Sequence, residues 1–208
     1  MVGRTIFVHI VLLRRFYLDT SIMAFKKDID ALDKGHVLYF IDEPHVYIKN
    51  AAAYILSGVE KGEHVFVIEN ERMFSSLHAL LKTSLTKTQL DMVHFVNNFD
   101  FYYSNGDFHT PTIVAYFLEV VKPVLHEKQA FRTWAHIEWG ELKDIESKLD
   151  AYEINAKTTV HEMELLSVCA YDVVRLPETI KGSLLNSHDY LIRNHELETL
   201  NRQNAVNE

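Results

Sequence analysis

Cysteine, glycine and proline are all scarce in this sequence. The 208 residues include one cysteine, Cys169, which excludes an internal disulfide and any zinc or iron–sulfur site built from several cysteines. Seven glycines and four prolines are too few for a disordered or fibrous chain. Since 48% of the residues are hydrophobic and 24% are charged, we expect a folded, cytoplasmic protein with a full hydrophobic core.

Positive charge and long apolar runs are scarce as well. Lysine and arginine total 21 against 29 acidic residues, a formal net charge of −8, so direct binding to nucleic acid is not expected. The apolar run 6–13 has eight residues, whereas a membrane-spanning helix needs about 20. It is followed by Arg14-Arg15-Phe16 rather than by a cleavage site, so we predict neither a membrane span nor a signal peptide.

Two common chemical motifs are missing. The sequence has no G-x-x-x-x-G-K-[ST], and no G-x-G-x-x-G follows a predicted strand, so no glycine-rich loop can surround a phosphate with backbone N–H groups. Among the twelve histidines, His161 begins H-E-M-E-L, which lacks the second histidine of the H-E-x-x-H zinc motif. The sequence therefore predicts no nucleotide hydrolase, no cofactor and no metal motif, and leaves open only a metal site assembled from distant histidines.

Residue patterns predict alternating strands and helices. Apolar runs indicate strands at 36–41, 64–68, 94–96, 130–137 and 165–171, and helical periodicity indicates helices at 45–60, 70–82, 110–127, 142–158 and 177–195. Pro123 is expected to kink or end the third helix. This alternation predicts a three-layer α/β fold, in which helices cover both faces of a mostly parallel sheet.

The chain is expected to have three parts. Residues 1–33 would form an N-terminal extension, either an extra strand, a short helix or a poorly ordered segment, with Met23 as an alternative start. Residues 34–195 would form the functional domain, and residues 196–208 a polar tail.

Ligands of parallel sheets bind beyond the carboxyl ends of the strands. That rule draws attention to Asp42, Glu43 and Asn70, and alternation places Arg132, Trp134, His136 and Glu138 on one face of their strand. The expected ligand-binding residues are Glu69, Arg132, His136, Glu138, Trp139, Tyr171 and Asp172. No catalytic residue is assigned, and a structural pair between Arg132 and Glu138 is the alternative.

Other reactive side chains have simpler interpretations. His36, His64 and His94 each begin a predicted strand, where each is expected to satisfy a neighbouring backbone group. Cys169 lies in the middle of a predicted strand and is expected to be a small buried hydrophobic residue, because a reactive thiol would need access and a lowered pKa.

The order of several short motifs resembles one family. The motifs are His36-Val-Leu-Tyr-Phe, Lys61-Gly62-Glu63, Tyr103 with Gly106-Asp107-Phe108, Arg132 with Glu138-Trp139, Tyr152-Glu153, Cys169-Ala170-Tyr171-Asp172, and His188. This order is similar to that of the MEDS domain, a sensory domain named for methanogens, methylotrophs and the dichloromethane-responsive repressor. The similarity extends from His36 to His195, and the family more often has glutamine where this chain has Ala170.

The resemblance implies a RecA/KaiC-like fold with a degenerate phosphate loop, in which residues 69–72 stand where the loop would be. It also implies a sensory or regulatory role, with a small, hydrocarbon-derived ligand or a signalling partner such as a kinase or a transcription regulator. The chain would be a stand-alone member of the family. The resemblance does not decide whether it forms a homo-oligomer.

Three functional hypotheses follow. The first is a non-catalytic sensory or regulatory protein. The second is an enzyme that uses Asp172, Glu138 or His136 as acid or base. The third is a protein-interaction module with a C-terminal helix at 187–200 as the contact, whose Leu191, Ile192 and Leu197 would pack either on the domain or on a partner.

Overall fold

The structure is a computed structural model that describes residues 20–140 and 145–200. The apolar run 6–13, the first residues of the fourth predicted helix (142–144) and the tail from 201 onward lie outside the described residues. Within residues 20–140 and 145–200, no helix is long and apolar enough to cross a membrane.

Helices and strands alternate along most of the described chain. The helices are α1 (Thr20–Asp30), α2 (Pro44–Glu60), α3 (Glu71–Leu81), α4 (Lys87–Leu90), α5 (Asn98–Tyr103), α6 (Thr110–His126), α7 (Ile145–Glu162) and α8 (Glu178–Ser187). The strands are β1 (Gly35–Ile41), β2 (His64–Glu69), β3 (Val93–Asn97), β4 (Phe131–His136), β5 (Leu166–Asp172), β6 (Tyr190–Arg193) and β7 (Glu196–Thr199).

The strands form one sheet in the order β3-β2-β4-β5-β1-β6-β7. All neighbours are parallel except β6 and β7, which are antiparallel. Helices cover both faces, so the predicted three-layer, mostly parallel α/β fold is confirmed. The carboxyl ends of β1, β2, β4 and β5 consequently meet at one edge of the sheet.

Alternation along the strands divides the core into two layers. Val37, Tyr39 and Trp134 pack on one face under α1, α2 and α3, while Leu38 and Cys169 pack on the other under α5 to α8. Because buried aliphatic and aromatic side chains stabilise a fold by about 1.5–3 kcal/mol each, these layers hold the sheet and its helices together.

Helix α2 lies close to the sheet because of its composition. Pro44 starts its first turn, and the alanines at 51–53 are small, good helix formers that are almost completely buried. Gly62 follows the helix with a φ of +80°, a left-handed conformation that glycine adopts without steric cost.

The end of the chain differs from the prediction. Residues 190–199 form a β-hairpin instead of continuing the helix, and Asn194 takes a φ of +53° in its two-residue turn. Leu191 and Ile192 are buried in the sheet, so the helical interaction surface predicted for them is wrong. The hairpin also includes Glu196–Thr199, which the sequence placed in the polar tail.

Two other predictions change in detail. Helix α6 continues through Pro123 to His126. In the expected N-terminal extension, α1 is a regular helix, and its Ile22, Phe25 and Ile29 are buried against the core.

Candidate functional site

A buried polar network lies at the carboxyl edge of the sheet. Glu69 ends β2, and His136 ends β4; the His136 Nδ1 lies 2.8 Å from Glu69 Oε1. The Tyr47 hydroxyl of α2 donates to Glu69 Oε2 at 2.5 Å and accepts from the Trp134 indole N–H at 2.8 Å. Asn70 donates its backbone N–H to Glu69 Oε1 at 2.8 Å. The network thus joins two strands and a helix around one carboxylate that is 1% exposed.

The network also alters the protonation of its members. Burial alone lowers the pKa of His136, but the hydrogen bond and the negative charge of Glu69 outweigh it and raise this pKa above 6.5. Burial, together with the charge of Glu69, raises the pKa of Tyr47 well above 10.0. The raised pKa keeps Tyr47 protonated near neutral pH, so its hydroxyl stays a hydrogen-bond donor to Glu69.

Glu138 and Trp139 lie beyond the end of β4, and Asp172 is the last residue of β5. Arg175 donates to a Glu138 carboxylate oxygen and to the Trp139 carbonyl, and its guanidinium carbon lies 5.1 Å from the centre of the Trp139 ring. Asp172 accepts from the backbone N–H of Val174 at 2.9 Å. The carboxyl edge of the sheet therefore brings Glu69 and His136 into contact. The negative charges of Glu138 and Asp172 are close enough to raise the pKa of His136 further.

Arg132 lies apart from these residues. It stands near the start of β4, where its Nε donates to Glu63 and its Nη1 donates to Ser57 Oγ at 3.2 Å. The alternative prediction of an Arg132–Glu138 pair is wrong, because Glu138 pairs with Arg175. A Cβ on Gly58 would lie 2.8 Å from Arg132 Cδ, so this glycine makes room for the arginine.

The last predicted site residue, Tyr171, belongs to a second cluster in the other layer of the core. Tyr171 donates its hydroxyl to Glu153 Oε1. Around the other oxygen of Glu153 lie His36 Nε2 at 3.6 Å and His188 Nε2 at 3.4 Å. His36 Nε2 also lies 3.2 Å from Cys169 Sγ. The members are at most 3% exposed.

Burial sets the protonation of this cluster. It raises the pKa of Glu153 to about 8, against a smaller lowering by the Tyr171 hydrogen bond, and it lowers the pKa of His36 to about 4. Burial, with the neighbouring Glu153, raises the pKa of Cys169 well above its usual value. Near neutral pH the cluster consequently favours the uncharged forms of its side chains.

An apolar cavity of about 60 Å³ lies between the sheet and helices α5, α6 and α7. Phe117 and Ala156 line it from the helices, while Cys169 lines it from β5. Thr133 and Ser167 also line it, and their hydroxyl oxygens lie 2.6 Å apart, so that the two groups hydrogen-bond to each other. The surface that remains is suited to an apolar occupant.

Several of these residues were not identified from the sequence. Tyr47 belonged to no motif. Glu153 and His188 were among the motifs of the family resemblance but were not assigned to a site, and they lie on a helix and a loop distant in sequence from their partners. Cys169 is buried, as predicted, but its thiol also has a histidine neighbour. His36 does bond a backbone carbonyl, whereas His64 Nδ1 and His94 Nε2 lie 2.7 Å from each other.

Comparisons with known proteins place this chain in a family. No curated protein matches it. Among solved structures, it is similar to the flagellar accessory protein FlaH from Methanocaldococcus jannaschii, with 11% identity, a TM-score of 0.47, and coverage of 86% of this chain and 83% of that one. The model of the MEthanogen/methylotroph, DcmR Sensory domain matches residues 35–189. The chain therefore belongs to the MEDS family of sensory domains.

Proposed function

We propose that this protein is a non-catalytic sensory or regulatory protein that binds a small, hydrocarbon-derived molecule in the cavity beneath α6 and α7. The observation that carries the proposal is the apolar lining of that cavity. The hydroxyl groups of Thr133 and Ser167 hydrogen-bond to each other, so they do not require a polar ligand. Membership of a sensory-domain family supports the same role.

The size of the cavity limits the ligand. A volume of about 60 Å³ has room for a molecule of a few non-hydrogen atoms, such as a one-carbon or two-carbon halide. Its binding would gain from removing apolar surface from water.

Helices α6 and α7 would carry the signal. Phe117 of α6 and Ala156 of α7 face the same cavity, so an occupant that fills it favours the arrangement of the helices that contacts it best. A ligand shifts a conformational equilibrium only through different affinities for the two states. The outer surface of these helices would then present the changed state to a signalling partner, such as a kinase or a transcription regulator.

A thermal-shift series with small halocarbons, alcohols and nucleotides tests this function. The wild-type protein should gain stability with at least one apolar compound, since binding to the folded state raises its melting temperature. Ala156→Phe fills the cavity and should abolish that gain, whereas Ala151→Phe, at an exposed position of the same helix, should retain it. A gain that survives Ala156→Phe would contradict binding in the cavity.

An enzyme is the second candidate, and the contact between Glu69 and His136 favours it. A buried carboxylate that orients a histidine at the carboxyl edge of a parallel sheet is a common acid–base arrangement. Its test is a turnover assay on the compounds that raise the melting temperature. Product formation that His136→Gln abolishes would establish catalysis in place of sensing.

A further inference from the structure

The two histidines of the buried cluster have a fixed tautomer. His36 Nδ1 lies 3.2 Å from the Ser187 carbonyl oxygen, and His188 Nδ1 lies 2.7 Å from the Leu184 carbonyl oxygen. A carbonyl can only accept, so each Nδ1 carries the proton and each Nε2 presents a lone pair. Backbone carbonyls orient metal-binding histidines in the same way in known metal sites.

Those lone pairs point toward other electron-rich atoms. His188 Nε2 and Glu153 Oε2 are buried without a hydrogen-bond partner, although they lie 3.4 Å apart. His36 Nε2 faces the same carboxylate oxygen at 3.6 Å and Cys169 Sγ at 3.2 Å. Two buried atoms that face each other without a hydrogen-bond partner leave a place for a positive group between them, which either the proton of the uncharged carboxyl or a metal ion can fill.

The four atoms lie close enough together to surround one metal ion, although the stacked rings of His36 and His188, whose centres are 3.8 Å apart, would have to tilt apart for both Nε2 lone pairs to reach it. Ligand atoms about 2.0–2.3 Å from Zn²⁺ lie about 3.3–3.8 Å apart at the corners of a tetrahedron. Here the pairs His36–Cys169, His36–Glu153 and His188–Glu153 lie 3.2–3.6 Å apart, and all four atoms lie within 4.8 Å of one another. We propose that His36, Glu153, Cys169 and His188 form a buried four-ligand site for a divalent transition-metal ion, with Zn²⁺ as the best fit.

Charge and ligand type both favour this ion. Two neutral imidazoles, one thiolate and one carboxylate balance the charge of a divalent cation, which suits a site whose members are at most 3% exposed. Thiolate and imidazole are poor ligands for Ca²⁺ and Mg²⁺ and good ligands for Zn²⁺. The thiol and the carboxylic acid each release a proton when the ion binds.

The site adds to the sensory function and does not depend on it. Cys169 lines the apolar cavity and belongs to the cluster, so the ion would lie against one wall of the proposed ligand site. If no compound bound in the cavity, the proposed metal site would not be contradicted. If no metal bound, the proposed cavity ligand would not be contradicted.

Metal content and Co²⁺ spectra test the proposal in the 208-residue chain. Wild-type protein produced with added Zn²⁺ should retain one ion per chain after dialysis. The Co²⁺-loaded protein should show a thiolate-to-Co²⁺ charge-transfer band together with the visible bands of a tetrahedral site. This measurement requires no variant, and wild-type protein without bound metal or without the thiolate band overturns the proposal.

Two substitutions locate the ion. Cys169→Ser should remove the charge-transfer band, and Glu153→Gln should weaken Zn²⁺ binding at least about a hundredfold, because loss of a direct ligand costs more than loss of an orienting group. Glu153→Gln keeps the shape of the protonated carboxyl, so it should fold. His126→Ala, at an exposed position, should bind like the wild type. Equal Zn²⁺ affinity in wild type and Glu153→Gln would place the ion elsewhere and overturn the proposal.

Discussion

The imidazole of His136 lies 2.8 Å from the carboxylate of Glu69, and this contact joins the ends of strands β4 and β2. Both side chains are buried, at 8% and 1% exposure. The pair therefore couples the protonation of one histidine to the folding of the sheet edge.

Stability should depend on pH through His136. Its folded-state pKa is raised above 6.5, so the stabilisation by the pair is fully present below pH 6.5 and is lost as the pH rises through the raised value. Urea unfolding from mildly acidic to alkaline buffer should show this fall in the free energy of unfolding for the wild type. His136→Gln should remove that part of the pH dependence, whereas His126→Gln, at an exposed position, should preserve it. Identical pH profiles for wild type and His136→Gln would contradict the coupling.

Tyr47 should be important for stability because it serves two partners. Tyr47→Phe removes a donor to Glu69 and an acceptor for the Trp134 N–H, and it leaves both buried groups with one bond fewer. We expect a loss of about 1–3 kcal/mol in the free energy of unfolding, measured by urea denaturation. Tyr116→Phe, at a half-buried tyrosine of α6, should change it by less than about 0.5 kcal/mol. Equal losses in the two variants would show that the network adds nothing.

The close approach of Arg132 to α2 should make Gly58 intolerant of substitution. In Gly58→Ala the added Cβ would lie 2.8 Å from Arg132 Cδ and 2.9 Å from Val65 Cγ2, so we expect a loss of about 1–3 kcal/mol. Gly182 in α8 has open space around it, and Gly182→Ala should stabilise the protein by about 0.5–1 kcal/mol through helix propensity. Thermal unfolding of both variants measures the contrast, and a stabilising Gly58→Ala would disprove the steric argument.

Nucleoside triphosphates should not stabilise the protein. The β1–α2 connection consists of Asp42 and Glu43, and the β2–α3 connection consists of Asn70, so neither has the length or the glycines to surround a phosphate. A ligand at a hundred times its dissociation constant adds about 2.7 kcal/mol of stability. Thermal scans with magnesium and ATP should show no shift, and turnover of ATP that depends on a residue at this edge would contradict the sensory role.

Much of the fold was predictable because apolar runs such as 64–68 are short, continuous and bounded by turns. The hairpin was missed because Leu191 and Ile192 follow Leu184 and Leu185 by seven residues, a spacing that also suits one face of a continuous helix. The left-handed turn at Asn194 and the pairing of β6 with β1 favour two strands over a helix at this position. Pairing with a strand that is distant in sequence cannot be predicted from the local sequence.

The candidate site was predictable only in part. The strand-end rule identified Glu69 and His136, which do contact each other. Alternation wrongly grouped Arg132 with His136, although Arg132 lies at the opposite end of β4. Alternation predicts which face of a strand a side chain lies on, but not how far along the strand it lies. His36, Glu153 and His188 were all among the motifs of the family resemblance, but only tertiary packing brings them together, and their separations along the chain do not predict that contact.

The most direct test of the sensory account is a crystal structure of the protein soaked with a small halomethane. The account predicts electron density for the compound between Phe117, Ala156 and Cys169 in the cavity under α6 and α7. Density at the carboxyl edge near His136 with the cavity empty, or no bound compound at all, would contradict it.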